Sequence, residues 1–103
     1  MRILLVNVDS RWNMAIRKMY SYYSQNHEVE MLDLGFSGYP HKRMKTIDAS
    51  GYDKVFVSNI FGQNKDRITV INCSDVQYGG IGSRNPHLRL PKEIENAEPV
   101  YYP

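Results

Sequence analysis

The chain has 103 residues, of which 42% are hydrophobic and 23% charged, the usage of one ordinary globular domain and not of a disordered segment. Thirteen Lys and Arg against eleven Asp and Glu leave a formal charge of +2 with no concentrated basic stripe, so no nucleic-acid surface is expected. The single cysteine, Cys73, excludes an internal disulfide and any zinc or iron–sulfur site built from several cysteines of this chain.

The apolar run Ile3-Leu4-Leu5-Val6 is shorter than a signal-peptide core and far shorter than a membrane span, so a cytoplasmic protein without membrane contact is expected. Residues 3–8 read as a strand buried on both faces, the centre of a parallel sheet. Trp12, Ala15, Ile16, Met19, Tyr22 and Tyr23 recur every three or four residues and draw the inner stripe of a helix, with Arg17, Lys18, Ser21 and Ser24 on its polar face. Asn26-His27 is turn chemistry, and residues 29–34 alternate in the manner of a strand, completing one βαβ unit. Gly35, Gly38 and Pro40 then punctuate the chain, and residues 44–49 predict one or two helical turns. Residues 54–61, Lys-Val-Phe-Val-Ser-Asn-Ile-Phe, predict the next strand.

Between residues 63 and 74 two signals compete. Ile68-Thr69-Val70-Ile71 favours a strand locally, whereas an alternating order of elements asks for a helical crossover before the strand at Val76-Gln77-Tyr78, and a short helix is the expectation taken here. Gly79-Gly80-Ile81-Gly82-Ser83 follows, and Pro86, Pro91, Pro99 and Pro103 divide the remainder into extended pieces. The pattern predicts an α/β fold: a small open, mostly parallel sheet of about four strands with flanking helices, Rossmann- or flavodoxin-like, with an irregular C-terminal tail. Residues 1–83 form this domain, and residues 84–103 are an extended tail, read as the start of a missing downstream domain.

In such a sheet ligands sit beyond the carboxyl ends of the strands, so the candidate binding residues are Asp9, Ser10, Ser58, Asn59, Gly79, Gly80 and Gly82. The loop after the first strand has no glycine, which disfavours a dinucleotide site, and lacks the Ser/Thr/Gly run that wraps a flavin phosphate. Asp9 and Ser10 also suit a helix cap, and the glycine cluster also suits a tight turn. A phospho-accepting aspartate is missing where Ser58 and Asn59 stand. His27, His41 and His87 have no metal-ligand spacing, and Cys73 has no evident histidine partner, so no metal and no catalytic residue is assigned. His41-Lys42-Arg43 with Lys45 reads as a solvated face, and Tyr20, Tyr22 and Tyr23 as core or subunit-contact residues.

The order of features nevertheless has a family likeness. Asn7-Val8-Asp9-Ser10 ends the first strand, and a helix runs through Tyr20 to Gln25. Gly51-Tyr52-Asp53-Lys54-Val55-Phe56-Val57-Ser58 enters the third, and Gly79-Gly80-Ile81-Gly82 precedes Leu90-Pro91-Lys92-Glu93-Ile94-Glu95. Over nearly the whole chain this resembles the N-terminal cobalamin-binding-like domain found ahead of the catalytic barrel in a group of radical S-adenosylmethionine proteins. The resemblance implies a Rossmann-like accessory domain, cobalamin as the cofactor, and a catalytic radical S-adenosylmethionine domain as partner in cis or in trans. Two departures stand beside it. The family's Asp-x-His-x-x-Gly is replaced by Asp9-Ser10-Arg11-Trp12-Asn13-Met14, without the ligating histidine or the glycine, and the cluster's Cys-x-x-x-Cys-x-x-Cys cannot come from Cys73 alone. The leading expectation is therefore a non-catalytic accessory or ligand-binding-like domain. The alternatives are a small flavin- or nucleotide-binding protein and an interaction module that forms a homodimer through its tyrosine-bearing helix.

Overall fold

The computed structural model of the chain describes residues 1–9, 14–35, 44–59, 67–79 and 92–96. Its elements in chain order are β1 (Arg2–Asn7), α1 (Met14–Tyr23), β2 (Glu28–Asp33), β3 (Lys45–Asp48), β4 (Lys54–Ser58), β5 (Ile68–Ile71), β6 (Val76–Gly79) and the single turn α2 (Lys92–Glu95). Four strands form one parallel sheet in the order β2-β1-β4-β6, and β3 and β5 form a second, two-stranded parallel sheet. The expected α/β arrangement holds, with β1 in the interior between β2 and β4.

The unbroken apolar run of β1 is explained by what lies on each side of it. Ile3 and Leu5 point to one face and join Ile16 and Met19 of α1, Phe56 of β4 and Ile94 of α2. Leu4, Val6 and Val8 point to the other and join Val55 and Val57 of β4 with Ile47 and Ile68 of the small sheet and Ala49 just after β3. A strand covered on both faces has no polar position to alternate with, and the buried run from Ile3 to Val8 is interrupted only by Asn7. The edge strand β2 alternates over its first four residues instead, with Val29 and Met31 half-buried and Glu28 and Glu30 exposed.

The second layer corrects two expectations. The helical turns expected over residues 44–49 are the strand β3, and the short helix expected over residues 63–74 contains the strand β5, with residues 63–66 outside the described set. Local preference decided both: Thr46-Ile47 and Ile68-Thr69-Val70-Ile71 are β-branched, stiff at χ1 and suited to a pleated, half-buried surface. The layer needs only an apolar face over Leu4, Val6, Val55 and Val57, which a strand pair supplies with Ile47 and Ile68. Each small strand carries the chain back from the carboxyl end of the main sheet to its amino end, the task of a helix in a βαβ unit. Residues 49–53 then suffice to reach β4, and residues 72–75 to reach β6. Both turns contain a left-handed residue, Gly51 (φ 86°) and Asn72 (φ 65°). At Gly51 the positive φ is what favours glycine; a side chain there would also sit 3.1 Å from the Arg2 guanidinium, which would have to shift by a few tenths of an ångström.

Asp48 closes the carboxyl end of the small sheet. Its Oδ1 accepts from the Ser50 amide at 3.0 Å, the Ser50 hydroxyl at 2.5 Å and Asn72 Nδ2 at 2.9 Å, which ties β3 to the turn after β5. These donors, the Asn72 amide first, hold its carboxyl below the ordinary aspartate value. Leu5, fully buried beneath α1, sets the strength of the main core. Leu5→Ala is expected to cost about 2–5 kcal/mol, read as a lower urea midpoint with an unchanged slope; a loss below about 1 kcal/mol would contradict the packing described.

Candidate functional site

At the carboxyl end of the main sheet the ladder sets four residues in one row: Asp33, Asn7, Ser58 and Gly79, from β2, β1, β4 and β6. The backbone pairing runs one residue further. Leu34 N donates to Asn7 O (2.9 Å), Val8 N to Ser58 O (3.0 Å) and Asn59 N to Gly79 O (3.1 Å). Within the row Asn7 Nδ2 donates to Asp33 Oδ1 at 2.9 Å.

This end of the sheet also collects the buried polarity. The buried polar or charged side chains among the described residues are Asn7, Asp9, Arg17, Ser58 and Asn59, each no more than 9% exposed. Four of them stand at or just past the ends of β1 and β4, and Arg17 lies in the first turns of the helix that follows β1. Each is engaged by a neighbour, as burial of polar groups in a stable fold requires. β1 and β4 are also where the strand order reverses, since β1 connects onward to β2 on one side while β4 flanks it on the other. In an open α/β sheet a crevice forms at such a reversal.

Of the candidate residues chosen from sequence, Ser58, Asn59 and Gly79 are adjacent across the ladder, and Asp9 lies two residues beyond Asn7 on the neighbouring strand. Ser10, Gly80 and Gly82 lie outside the described residues. Sequence reasoning missed Asn7, Asp33 and Arg17. Asn7 could have been found as the one polar residue inside the run of residues 3–8. Arg17 was assigned to the polar face of α1, yet it is 4% exposed. It follows Ile16 directly and precedes Tyr20 by three, so it borders the inner stripe.

The amino end of the sheet is polar in a different way. Arg2 bridges Glu28 (Nε to Oε2, 3.3 Å) and Glu30 (3.2 Å), lies over the Tyr52 ring at 4.7 Å, and exchanges hydrogen bonds with Asp53 through its backbone. The Tyr52 hydroxyl donates to Glu30. Beside this network an open depression of about 570 Å³ is lined by Met1, Arg2, Ser24, Gln25, Asn26, His27, Glu28 and Asp53. Arg2 and Asp53 are occupied by each other and by the strand ends they join, so the depression is a by-product of the fixture that starts β1 and β4. His27 is half-buried there, its Nδ1 3.4 Å from the Met1 amino group. Cys73, half-buried at the edge of the core, donates to the Asp75 carbonyl at 3.7 Å. His41, His87 and the Lys42-Arg43 pair lie outside the described residues, among which no group of three or more His, Cys, Asp and Glu could hold a metal ion. Of the α1 tyrosines, Tyr23 stacks on Phe56 (5.7 Å, 24°), its hydroxyl pKa raised first by burial, and Tyr22 meets Tyr23 edge-on at 5.2 Å.

No family model, no curated protein and no solved structure matches this chain.

The Glu30–Tyr52 contact titrates at both ends. The Tyr52 hydrogen bond, with Arg2 behind it, lowers the Glu30 pKa below its ordinary 4.5, and the same bond raises that of Tyr52 above its ordinary 10.0. A lowered carboxyl stabilises the fold above its unfolded pKa and loses that contribution as pH falls; a raised phenol stabilises below its unfolded pKa and loses it as pH rises. The gap in melting temperature between the native chain and Glu30→Ala is therefore expected to be widest near neutrality. It should narrow below about pH 4.5, above about pH 10 and in high salt. A gap independent of pH would show that Glu30 acts through packing alone.

Proposed function

We propose that the chain is a non-catalytic ligand-binding domain whose site is the carboxyl edge of β1 and β4. The observation that carries this reading is the gathering of buried Asn7, Asp9, Arg17, Ser58 and Asn59 at the point where the strand order reverses. Desolvating five polar side chains costs free energy that an apolar edge would not, and a cluster of amides, a hydroxyl and both signs of charge is what fixes the orientation of a polar ligand. The described part of this edge contributes neither histidine nor cysteine, and its Asp9 and Ser58 are buried and engaged by neighbours, which favours binding over nucleophilic or acid–base chemistry by the chain itself. Gly79, half-buried at the end of β6, gives a ligand close approach to the backbone. The likeness to cobalamin-binding-like domains extends the proposal: a flat cofactor rests on this edge without a histidine ligand, and the domain serves a catalytic radical S-adenosylmethionine partner in cis or in trans.

Titration with hydroxocobalamin, with flavin mononucleotide and with NAD, followed by absorbance and calorimetry, tests the site. Binding of one of the three is expected, weakened at least tenfold by Asp9→Ala and by Gly79→Trp, with circular dichroism confirming that both variants fold. Binding that both substitutions leave intact would put the site elsewhere, and turnover of any of the three would refute the non-catalytic reading. No binding to any of them would remove the proposal's support.

A further inference from the structure

The small sheet has an edge that is chemically prepared for another strand. Lys45 N donates to Arg67 O and Ala49 N to Ile71 O, so Arg67, Thr69 and Ile71 turn their backbone groups toward β3. By alternation Ile68 and Val70 turn theirs to the opposite edge, with which no strand pairs among the described residues. The two edges of this sheet differ. β3 carries Lys45 and Asp48, charges of the kind that guard an edge, whereas β5 is Ile-Thr-Val-Ile, uncharged and β-branched throughout. Its outer face is exposed at Thr69 and at Ile71, which is 42% accessible. A two-stranded sheet is also below the size at which sheets are ordinarily stable by themselves.

The geometry points to a second copy of this chain as the partner, paired antiparallel along β5 about a two-fold axis. An uncharged edge that meets itself satisfies both copies with one contact and leaves no edge of its own open, which favours a second copy over an unrelated strand. The register follows from the backbone. Asn72 has left the extended region (φ 65°), so the residues able to exchange hydrogen bonds are Ile68 and Val70, each opposite the other in the partner. Thr69 then faces Thr69 of the other copy across the axis as a non-hydrogen-bonded pair, with Cα atoms about 4.5 Å apart. Because Thr46 is already the register partner of Thr69, four threonines form one row across a four-stranded sheet β3-β5-β5-β3. Paired threonines on one face stabilise a sheet, and the new sheet presents its apolar inner side to both cores. So short a pairing makes a weak, reversible dimer.

Two measurements on the full chain decide the matter. Sedimentation up to about 1 mM, the range for a contact of this size, is expected to show concentration-dependent dimerisation that Thr69→Lys weakens at least tenfold, since it sets two like charges face to face. In a Cys73→Ala background, Thr69→Cys is expected to crosslink into a disulfide dimer under mild oxidation, because a Cα separation of about 4.5 Å falls within disulfide range. Thr46→Cys, one strand removed from the axis on each side, should remain monomeric. Crosslinking detects the contact even where free association is too weak to sediment. A dimer that Thr69→Lys leaves intact, or a Thr69→Cys crosslinking rate no higher than that of Thr46→Cys, overturns the proposal. Loss of the dimer in Tyr22→Lys but not in Thr69→Lys would move the interface to α1.

Discussion

The two-sided burial of β1 is the constraint on which the other elements depend. Among the described residues, Ile3 and Leu5 are covered by α1 and the α2 turn, and Leu4, Val6 and Val8 by the small sheet, so a single strand of six residues carries a layer on each side of the main sheet. At about 25 cal/mol per Å² of apolar surface, a central strand buried at every position after Arg2 contributes more to stability per residue than a half-exposed edge strand such as β2. The same strand sets direction. Its parallel pairing with both β2 and β4 means that the chain must return from the carboxyl end before each new strand, and the layers are made of those returns.

Polarity at the two ends of the sheet has different origins. At the amino end, Arg2, Glu28, Glu30 and Asp53 are exposed and, with the half-buried Tyr52, paired with one another, a surface network whose charged members individually contribute little. At the carboxyl end the polar side chains are withdrawn from water. A buried arginine is far more costly than an exposed one unless it is engaged, and Arg17 is engaged. The asymmetry has a topological source: amino ends are joined by short turns such as residues 49–53 and 72–75, whereas longer connections leave from the carboxyl ends.

Much of the architecture was legible in the sequence because it rests on short-range patterns. The run of residues 3–8, the three-and-four spacing through Tyr23 and the strand beginning at Lys54 each correspond to an element with few competing readings. The crossovers were not legible in the same way, because the rule that strands alternate with helices was set against the local preference of Ile68-Thr69-Val70-Ile71, and the local preference prevailed. The site was half legible. Ser58, Asn59 and Gly79 follow from finding strand ends, but the engagement of Arg17 depends on how α1 is rotated on the sheet, and a stripe of apolar residues fixes that rotation only to within about one neighbouring position.

The use of strands where helices would ordinarily return the chain alters how the structure can be assembled. A helix satisfies its backbone within itself, so a βαβ unit can close before its neighbours exist. Among the described residues β3 and β5 pair only with each other, across the whole of β4 and the segments on either side of it. Neither crossover is complete until the other has arrived. The layer over Leu4, Val6, Val55 and Val57 is thus a long-range closure, the kind of contact whose loop entropy must be met before it stabilises and which therefore slows folding.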